Sequence, residues 1–228
     1  MSYILHYAPD NASLIVRMAL EHIGQPYTTQ LVDRAAGAQG SASYLRLNPH
    51  GLIPVLETPQ GPIFETGAIL LWLADTHGGL GPGPAHPDRA AFLKWLFFTA
   101  NTLHPSMRML FYPNKYIGDD VAQQDALRSV QRTLLRKHFA QLDQMADVHW
   151  IDGSALAFYL GGCLRWCAIY PANTDRSWFT LADTPRLAAL CAKLDTLPCT
   201  AATIAAEGLG PTPFTNPIHA NPPEGSAT

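Results

Sequence analysis

The sequence is poor in charged residues and has no run of a single charge sign. Only 14% of its 228 residues are charged, and fifteen Lys and Arg against eighteen Asp and Glu give a formal net charge of −3. Because the basic residues are not concentrated in any stretch, the electrostatic footprint of a protein that binds duplex nucleic acid is missing. With 47% hydrophobic residues, the composition instead predicts a folded globular chain without a nucleic-acid partner.

Long hydrophobic runs are also missing. The most apolar stretch, 155–170, contains Arg165 and has about 16 residues, fewer than the roughly 20 that a bilayer requires. We expect a buried helix here and no membrane association. The N-terminus lacks the basic and apolar segments of a secretory signal, so the expected location is cytoplasmic.

Cysteine is scarce, and no Cys-x-x-Cys pair occurs. Cys163 and Cys167 would share one helix face, but no His or acidic residue lies at a complementary spacing, so no metal site is predicted. Reduced, buried thiols are expected for all four cysteines, which are Cys163, Cys167, Cys191 and Cys199.

The first part of the chain alternates strand-like and helix-like periods, as in an α/β domain. Gly24 and the Asn48–Gly51 turn punctuate this pattern. The pattern predicts a βαβ half followed by a ββα half: a strand over 3–7, a helix over 13–23, a strand over 27–32, a loop with a short helical turn over 34–43, strands over 52–57 and 62–64, and a helix from 66 that ends before 77.

The second part of the chain has no strand pattern. Three prolines and two glycines make 80–87 a stiff linker, and helices are predicted over 88–110, 119–147, 154–169 and 184–206, with Asp88, Ser154 and Thr184 as N-caps. The predicted organisation is an α/β domain over 1–79, the linker 80–87, an all-helical domain over 88–210 and an irregular tail over 211–228. The tail is proline-rich, so it either lies flat on the surface or is disordered.

Pro54 stands at the entry of a predicted strand, where a residue without an N–H group needs a reason. Two interpretations are equally compatible with the spacing. A cis Ile53–Pro54 bond would turn the Ile53 amide and carbonyl outward to pair with another peptide backbone. A trans proline on an edge strand would have no such role.

Glu65 and Thr66 begin a predicted helix. A helix N-terminus presents free amides and a partial positive charge, which suit a carboxylate ligand, and Thr66 can bond such a ligand directly. The simpler interpretation, favoured by this pair alone, is an ordinary N-cap.

Polar residues also follow the first strand, where Tyr7, Asp10, Asn11 and Ser13 lie beside the opening of the first helix. Hydrogen bonds and a helix N-terminus lower the pKa of a thiol, so a thiolate placed here would be stabilised. Each of these residues is equally compatible with a capping role.

Taken together, these features resemble the glutathione S-transferase family over nearly the whole chain. The resemblance depends on Tyr7-Ala8-Pro9, on the segment 48–56 (Asn-Pro-His-Gly-Leu-Ile-Pro-Val-Leu), on Glu65-Thr66-x-Ala68-Ile69-x-x-Trp72-Leu73, on the proline linker and on the helical second half. It implies a thioredoxin-like α/β N-terminal domain and an all-α C-terminal helical bundle. The appearance is closest to bacterial beta-like members.

The resemblance also implies residue roles. In the family, the residue before the cis proline pairs its backbone with the cysteinyl part of glutathione, and a Glu-Ser or Glu-Thr pair binds the γ-glutamyl group. The implied glutathione-binding residues are therefore Leu52, Ile53, Pro54, Glu65 and Thr66. Glutathione would be the co-substrate, with no metal.

The first helix departs from the family pattern. Bacterial members carry a cysteine at the position of Ala12, so a mixed disulfide through that residue is excluded. The family's other thiol activators are a Tyr at the end of the first strand or a Ser or Asn in the next turn. Ser13 and Asn11 are the favoured candidates for catalysis, followed by Tyr7, which is also compatible with a place in the core.

Residues of the second domain are candidates for an electrophile site. His104 lies where bacterial relatives often carry a histidine that faces the thiol, although a histidine before Pro105 is equally compatible with a structural role. Met107 and Tyr112 have spacings that suit either an apolar pocket or the core.

The predicted function is a transferase that conjugates the glutathione thiolate to a small hydrophobic electrophile, a detoxifying reaction. The resemblance also implies a homodimer. The alternative is a non-catalytic glutathione-binding module on the same fold, and other glutathione chemistry, such as reduction or isomerisation, ranks behind both because it usually needs a cysteine in the first turn.

Overall fold

A computed structural model describes residues 3–227, and its first part is a four-stranded mixed sheet with three helices. Strand order is β2-β1-β3-β4, with β1 parallel to β2 and antiparallel to β3, and β4 antiparallel to β3. The predicted thioredoxin-like α/β architecture is confirmed. Its elements are β1 (Tyr3–Tyr7), α1 (Ser13–Ile23), β2 (Tyr27–Leu31), α2 (Ala42–Leu47), β3 (Val55–Thr58), β4 (Gly61–Phe64) and α3 (Thr66–His77).

Two details of this part differ from the prediction. The predicted loop over 34–43 contains a short 3₁₀ turn, Ala38–Gly40, but it ends early because helix α2 begins at Ala42, where the Ser41 side chain caps the helix by accepting a hydrogen bond from the Tyr44 amide. Strand β3 begins at Val55 instead of Leu52. Pro54 has no N–H group, so the ladder begins only after it.

The rest of the described chain contains seven α-helices and no strand. A π-helical stretch, Thr99–Leu103, joins the first two, so the predicted helix over 88–110 is interrupted. The predicted helix over 184–206 is also broken, because Pro198 starts a new helix after Leu197. The helices are α4 (Arg89–Phe98), α5 (His104–Phe111), α6 (Asn114–Ile117), α7 (Val121–Met145), α8 (Ala155–Ile169), α9 (Pro185–Asp195) and α10 (Pro198–Glu207).

Only one of the three predicted N-caps forms a capping hydrogen bond. The Ser154 hydroxyl accepts a hydrogen bond from the Ala157 amide at 3.2 Å. Neither Asp88 nor Thr184 makes a side-chain cap, and the Thr184 hydroxyl donates to the carbonyl of Leu181 instead. Pro185 follows Thr184 at the start of α9, a position that suits proline because no intrahelical N–H bond is lost.

The α/β part and the helical part share one hydrophobic core. Helix α1 packs against α3, α8 and α10, and nearly every side chain of α8 is buried. The carbonyl of Leu80, in the linker, accepts a hydrogen bond from the Ala155 amide at 2.9 Å. The site between the two parts is therefore held on a continuous packed scaffold.

The tail crosses back to the α/β part. Phe214 is buried in the shared core, and residues further along reach β1 and the loop after β2. The Glu224 carboxylate accepts a hydrogen bond from the Tyr7 hydroxyl, and the Ala227 carbonyl accepts one from Arg34 at 2.7 Å. Of the two predicted alternatives, residues 215–227 follow the first, because they lie on the surface, whereas Pro213 and Phe214 are buried.

Within residues 3–227, no single helix has the length and apolar composition needed to cross a membrane, although the bent pair α9 and α10, at 77°, meets both criteria together.

Candidate functional site

Two adjoining cavities lie between the α/β part and the helical part. The larger has a volume of about 530 Å³ and the smaller about 120 Å³. Both are bordered by the residues Ala12, Leu52, Ile53, His104 and Arg108. The shared border makes them two compartments of one cleft, here called the inner compartment (about 120 Å³) and the outer compartment (about 530 Å³).

The segment around Ile53 forms one wall of the cleft. The Ile53–Pro54 bond is cis, which decides between the two interpretations of Pro54. The Leu52 carbonyl is fixed by the Asn48 amide at 2.7 Å and the Tyr44 hydroxyl at 2.8 Å. Within residues 3–227, no hydrogen bond engages the amide or carbonyl of Ile53. A backbone donor and acceptor therefore stand side by side at the cleft.

The start of α3 borders the inner compartment. Glu65 and Thr66 both line it, and Glu65 has a positive φ of 71°. Glu65 occupies the N-cap position of α3, but its side chain forms no capping hydrogen bond. Because a helix N-terminus carries partial positive charge, a carboxylate in the inner compartment would be stabilised there, while the exposed Glu65 carboxylate suits an ammonium group.

The three candidates for thiol activation do not all lie at the cleft. Asn11 borders the outer compartment beside Ala12, and its side-chain amide donates long hydrogen bonds to the Pro9 carbonyl at 3.3 Å and to the Ala227 carbonyl at 3.5 Å. Ser13 and Tyr7 border neither compartment. Of the three candidates, Asn11 alone lines the cleft.

Ser13 and Tyr7 have other partners. The Ser13 hydroxyl is buried, donates to the Ala8 carbonyl at 3.0 Å and accepts from the Ala8 amide at 3.3 Å. The Tyr7 side chain is also buried, and its hydroxyl donates to Glu224. Burial and the Glu224 carboxylate both raise the pKa of Tyr7, so this hydroxyl stays protonated.

Asp10 fixes the loop that carries Asn11. Its carboxylate accepts two hydrogen bonds from Arg165, at 2.8 and 2.9 Å, one from the Trp166 indole at 3.0 Å and one from the Tyr170 hydroxyl at 2.9 Å. Asp10 has a positive φ of 50°, a left-handed conformation that residues other than glycine adopt uncommonly. These bonds from α8 and Tyr170 therefore hold the backbone just before Asn11.

Asp10 is further tied through its backbone. The Asp10 amide donates to the Glu207 carboxylate at 2.8 Å, and Glu207 accepts a second bond from Arg17 at 2.8 Å. Both side chains of that pair are buried. The first loop is thus anchored to α8 and to α10 at once.

His104 lies on the border of both compartments, as predicted for a residue facing the cleft. Its Nδ1 is 2.9 Å from the Tyr159 hydroxyl. Burial, with a smaller effect from the nearby Arg108 guanidinium, lowers the pKa of His104 from 6.5 to about 4. The imidazole is therefore neutral at physiological pH.

The other two electrophile-site candidates differ. Tyr112 borders the outer compartment and is 38% exposed. Met107 is fully buried in the shared core and borders neither compartment, so the spacing was misleading for this residue. It lies on α5, the helix that begins with His104, but on a face that packs inward.

Several functional residues were not identified from the sequence. Asp10 was noted only as one polar residue among four, and its partners lie far along the chain. The available signal was Arg165, because a charged residue inside an apolar helix requires a buried partner. Three cations at the outer compartment were also missed: Arg34, Arg108 and Lys115.

Residues 3–227 contain neither a cysteine at the cleft nor a cluster of potential metal ligands. No three His, Cys, Asp or Glu side chains in this part of the chain form a group that could hold a metal ion. All four cysteines are buried, and burial raises the pKa of each thiol. None of them lines the cleft.

Comparisons with known proteins agree with this geometry. The sequence model of the family "Glutathione S-transferase, N-terminal domain" matches residues 12–76. Glutathione S-transferase GST-4.5 of Xanthomonas campestris is 31% identical over 185 residues, which span 78% of this chain and 88% of that protein.

Solved structures show the same similarity. A sphingomonad glutathione S-transferase complexed with glutathione is 27% identical with a TM-score of 0.73, over 91% of this chain and 100% of that one. A bacterial beta-class glutathione S-transferase of Sphingomonas chungbukensis is 25% identical with a TM-score of 0.73, over 90% and 98% of the two chains. With its fold, its cleft and these relatives in agreement, the chain belongs to the glutathione S-transferase family.

Proposed function

We propose that the protein binds glutathione and conjugates its thiolate to a small hydrophobic electrophile. The observation that carries the proposal is the convergence of Ile53, Thr66 and Asn11 on one cleft. These residues offer a backbone pairing edge, a helix N-terminus and an amide donor. A tripeptide with a thiol and terminal charges matches these three features.

Glutathione would lie along the wall formed by Ile53. Its cysteinyl amide and carbonyl would pair with the free backbone groups of Ile53, and its γ-glutamyl carboxylate would bind at Thr66, with the amine near Glu65. Arg34, at the outer compartment, supplies positive charge for the glycyl carboxylate. The thiol would then face the first loop.

Asn11 is the proposed thiol activator. Its side-chain amide would exchange its 3.5 Å bond to the Ala227 carbonyl for a hydrogen bond to the sulfur, and such a bond favours the thiolate over the thiol. The thiolate would then attack the electrophile, forming a carbon–sulfur bond while the leaving group departs with its bonding electrons, or adding to an activated double bond, whose second carbon then takes a proton from solvent. The thiol proton passes to solvent.

Two further predictions from the sequence enter only as proposals. We propose a homodimer, supported by exposed apolar side chains on α4 and α7, which are Phe97, Val121 and Val130. The cytoplasmic location stays a prediction.

The proposal is tested by thermal unfolding with and without millimolar glutathione, beside a conjugation assay with a generic aromatic electrophile. Glutathione at about one hundred times its Kd should stabilise the fold by roughly 2.7 kcal/mol. Thr66→Val should weaken this stabilisation, whereas Thr66→Ser, which keeps the hydroxyl, should retain it. Binding without turnover of several electrophiles would favour the non-catalytic module, and the absence of any shift would exclude glutathione as the ligand.

A further inference from the structure

We propose that the outer compartment selects electrophiles that carry a carboxylate, such as aromatic or conjugated acids. This inference depends on the proposed function, because it names the class of the second substrate. It rests on two cations, Arg108 and Lys115, which border a compartment with aromatic walls.

The charges in the cleft are segregated. Among residues 3–227, Asp10 is the acidic residue that borders the outer compartment, and both its oxygens are occupied by Arg165, Trp166 and Tyr170. The other carboxylate of the cleft, Glu65, borders the inner compartment. The described side chains that border the outer compartment therefore carry an excess of positive charge, although the whole chain has a formal net charge of −3.

Both cations keep donors for a ligand. Among residues 3–227, no ion pair involves Arg108 or Lys115. Arg108 donates from Nε to the Tyr116 hydroxyl at 3.3 Å, and the Lys115 ammonium lies 4.9 Å from the centre of the Tyr112 ring. The Arg108 terminal nitrogens and the Lys115 ammonium protons remain for a carboxylate.

The remaining walls suit a flat conjugated body. Phe111, Tyr112, Trp166 and Tyr170 border the same compartment. Phe111 and Tyr112 belong to the end of α5 and the residue after it, and Arg108 lies one turn earlier. A planar ring between these side chains would bring an attached carboxylate toward Arg108 and Lys115.

Glutathione itself does not account for both cations. Its γ-glutamyl carboxylate has Thr66 and the N-terminus of α3 at the inner compartment, and its glycyl carboxylate has Arg34 on the α/β side of the cleft. Arg108 and Lys115 belong to the helical side, on α5 and α6; Lys115 borders the outer compartment alone, and Arg108 lies on the border that the two compartments share. Both cations therefore remain available to bind the electrophile, which the helical side would hold.

The test compares two electrophiles that differ in one charge. One is a chlorodinitrobenzoate with its chlorine para to the carboxylate and flanked by the nitro groups, and the other is its methyl ester. In both reactions the glutathione sulfur forms a bond to the ring carbon, chloride leaves with the bonding electrons, and the thiol proton goes to buffer. Each kcat/KM is divided by the uncatalysed rate constant to remove intrinsic reactivity.

The wild-type protein should favour the acid over the ester. Arg108→Met and Lys115→Met should each lower the acid-to-ester ratio about tenfold, the effect of one charged hydrogen bond. Lys137→Met is the matched control, because Lys137 is exposed on α7 and borders neither compartment. The control should keep the wild-type ratio, and the melting temperature of each variant verifies that it folds.

A binding measurement separates this inference from the proposed function. The two glutathione conjugates are synthesised, and their Kd values are measured by calorimetry, which needs no turnover. Tighter binding of the acid conjugate, lost in Arg108→Met and Lys115→Met, supports the inference even without catalysis. Equal binding, with a normal shift by glutathione, overturns the inference alone, whereas no glutathione shift overturns the proposed function and the inference with it.

Discussion

Asp10 and Arg165 form a bidentate ion pair in the interior, with both side chains fully buried and 155 positions apart in the chain. The pair joins the loop after β1 to α8. It therefore connects the residue that precedes Asn11 with the helical half of the molecule. Stability and site geometry depend on the same contact.

Asp10→Ala should lower the free energy of unfolding by about 3–5 kcal/mol, because it leaves the Arg165 guanidinium buried without its carboxylate. Urea denaturation measures this change. Asp75→Ala is the matched control, since it breaks an ion pair of the same length, 2.9 Å to Arg89, with Asp75 partly exposed. The control should cost less than about 1 kcal/mol.

The double variant Asp10→Ala/Arg165→Met tests whether the two side chains act as a unit. Its loss of stability should be smaller than the sum of the two single losses, because no unpaired charge remains. Additive losses would contradict the assignment of the ion pair as the interaction that holds the loop.

Asn11→Ala should reduce conjugation without unfolding the protein. Loss of one hydrogen bond to a charged sulfur corresponds to a fall in kcat/KM of about 10- to 100-fold. The pKa of bound glutathione should rise, which the ultraviolet absorbance of the thiolate detects. An unchanged thiol pKa in this variant would remove Asn11 from its proposed role.

Ser13→Ala should lower stability and leave conjugation nearly unchanged, which is the opposite of the result expected for Asn11→Ala. The buried Ala8 amide and carbonyl would lose their shared partner, at a cost of about 1–3 kcal/mol in stability. Because Ser13 borders neither compartment, conjugation per folded molecule should stay close to the wild type. A large fall in kcat/KM without loss of stability would instead support Ser13 as the activator.

Local patterns predicted most of the fold. The helix over 13–23 ends at Gly24, whose φ of 66° is left-handed, and the linker and the helical second half followed from composition and turns. The interrupted helices were harder, because a π-helical stretch and the start of α10 depend on packing as well as on periodicity. Pro198 was the visible signal for the second of these breaks.

The site could be predicted only where it depends on local chemistry. Thr66 at a helix start and Ile53 before Pro54 are local features, and they border the cleft as expected. The selection among Tyr7, Asn11 and Ser13 depends on which way each side chain points, and this is set by distant partners such as Glu224. The same holds for Asp10, whose partners lie on α8 and just beyond it.

His104 should make stability depend on pH. The unfolded chain binds a proton at this residue near pH 6.5, whereas the folded protein binds it only near pH 4. Stability from the neutral imidazole is therefore fully present above pH 6.5 and is lost as the pH falls toward 4, by at most about 3 kcal/mol. His104→Gln, which cannot titrate, should lack this part of the pH dependence.

The measurement is urea denaturation of both proteins from pH 4 to 7.5, values chosen to span this transition. As the pH falls through the acidic half of the range, the wild type should lose stability relative to His104→Gln. Above pH 7 the difference in stability between the two proteins should be constant. Parallel profiles would show that His104 does not keep its lowered pKa. His22 and His138, whose pKa values burial also lowers, are present in both proteins and cancel.

The four cysteines should be unreactive in the native protein. Each thiol is buried, and burial raises its pKa, so the thiolate that attacks a disulfide reagent is scarce and shielded. A chromogenic aromatic disulfide should label all four cysteines in denaturant and essentially none before unfolding. Cys199→Ser is the control variant. Cys199 is 4% exposed, so its thiol would be the first of the four to react with the reagent. Rapid labelling of the native protein would show a reactive thiol and restore a mixed disulfide with glutathione as a competing mechanism.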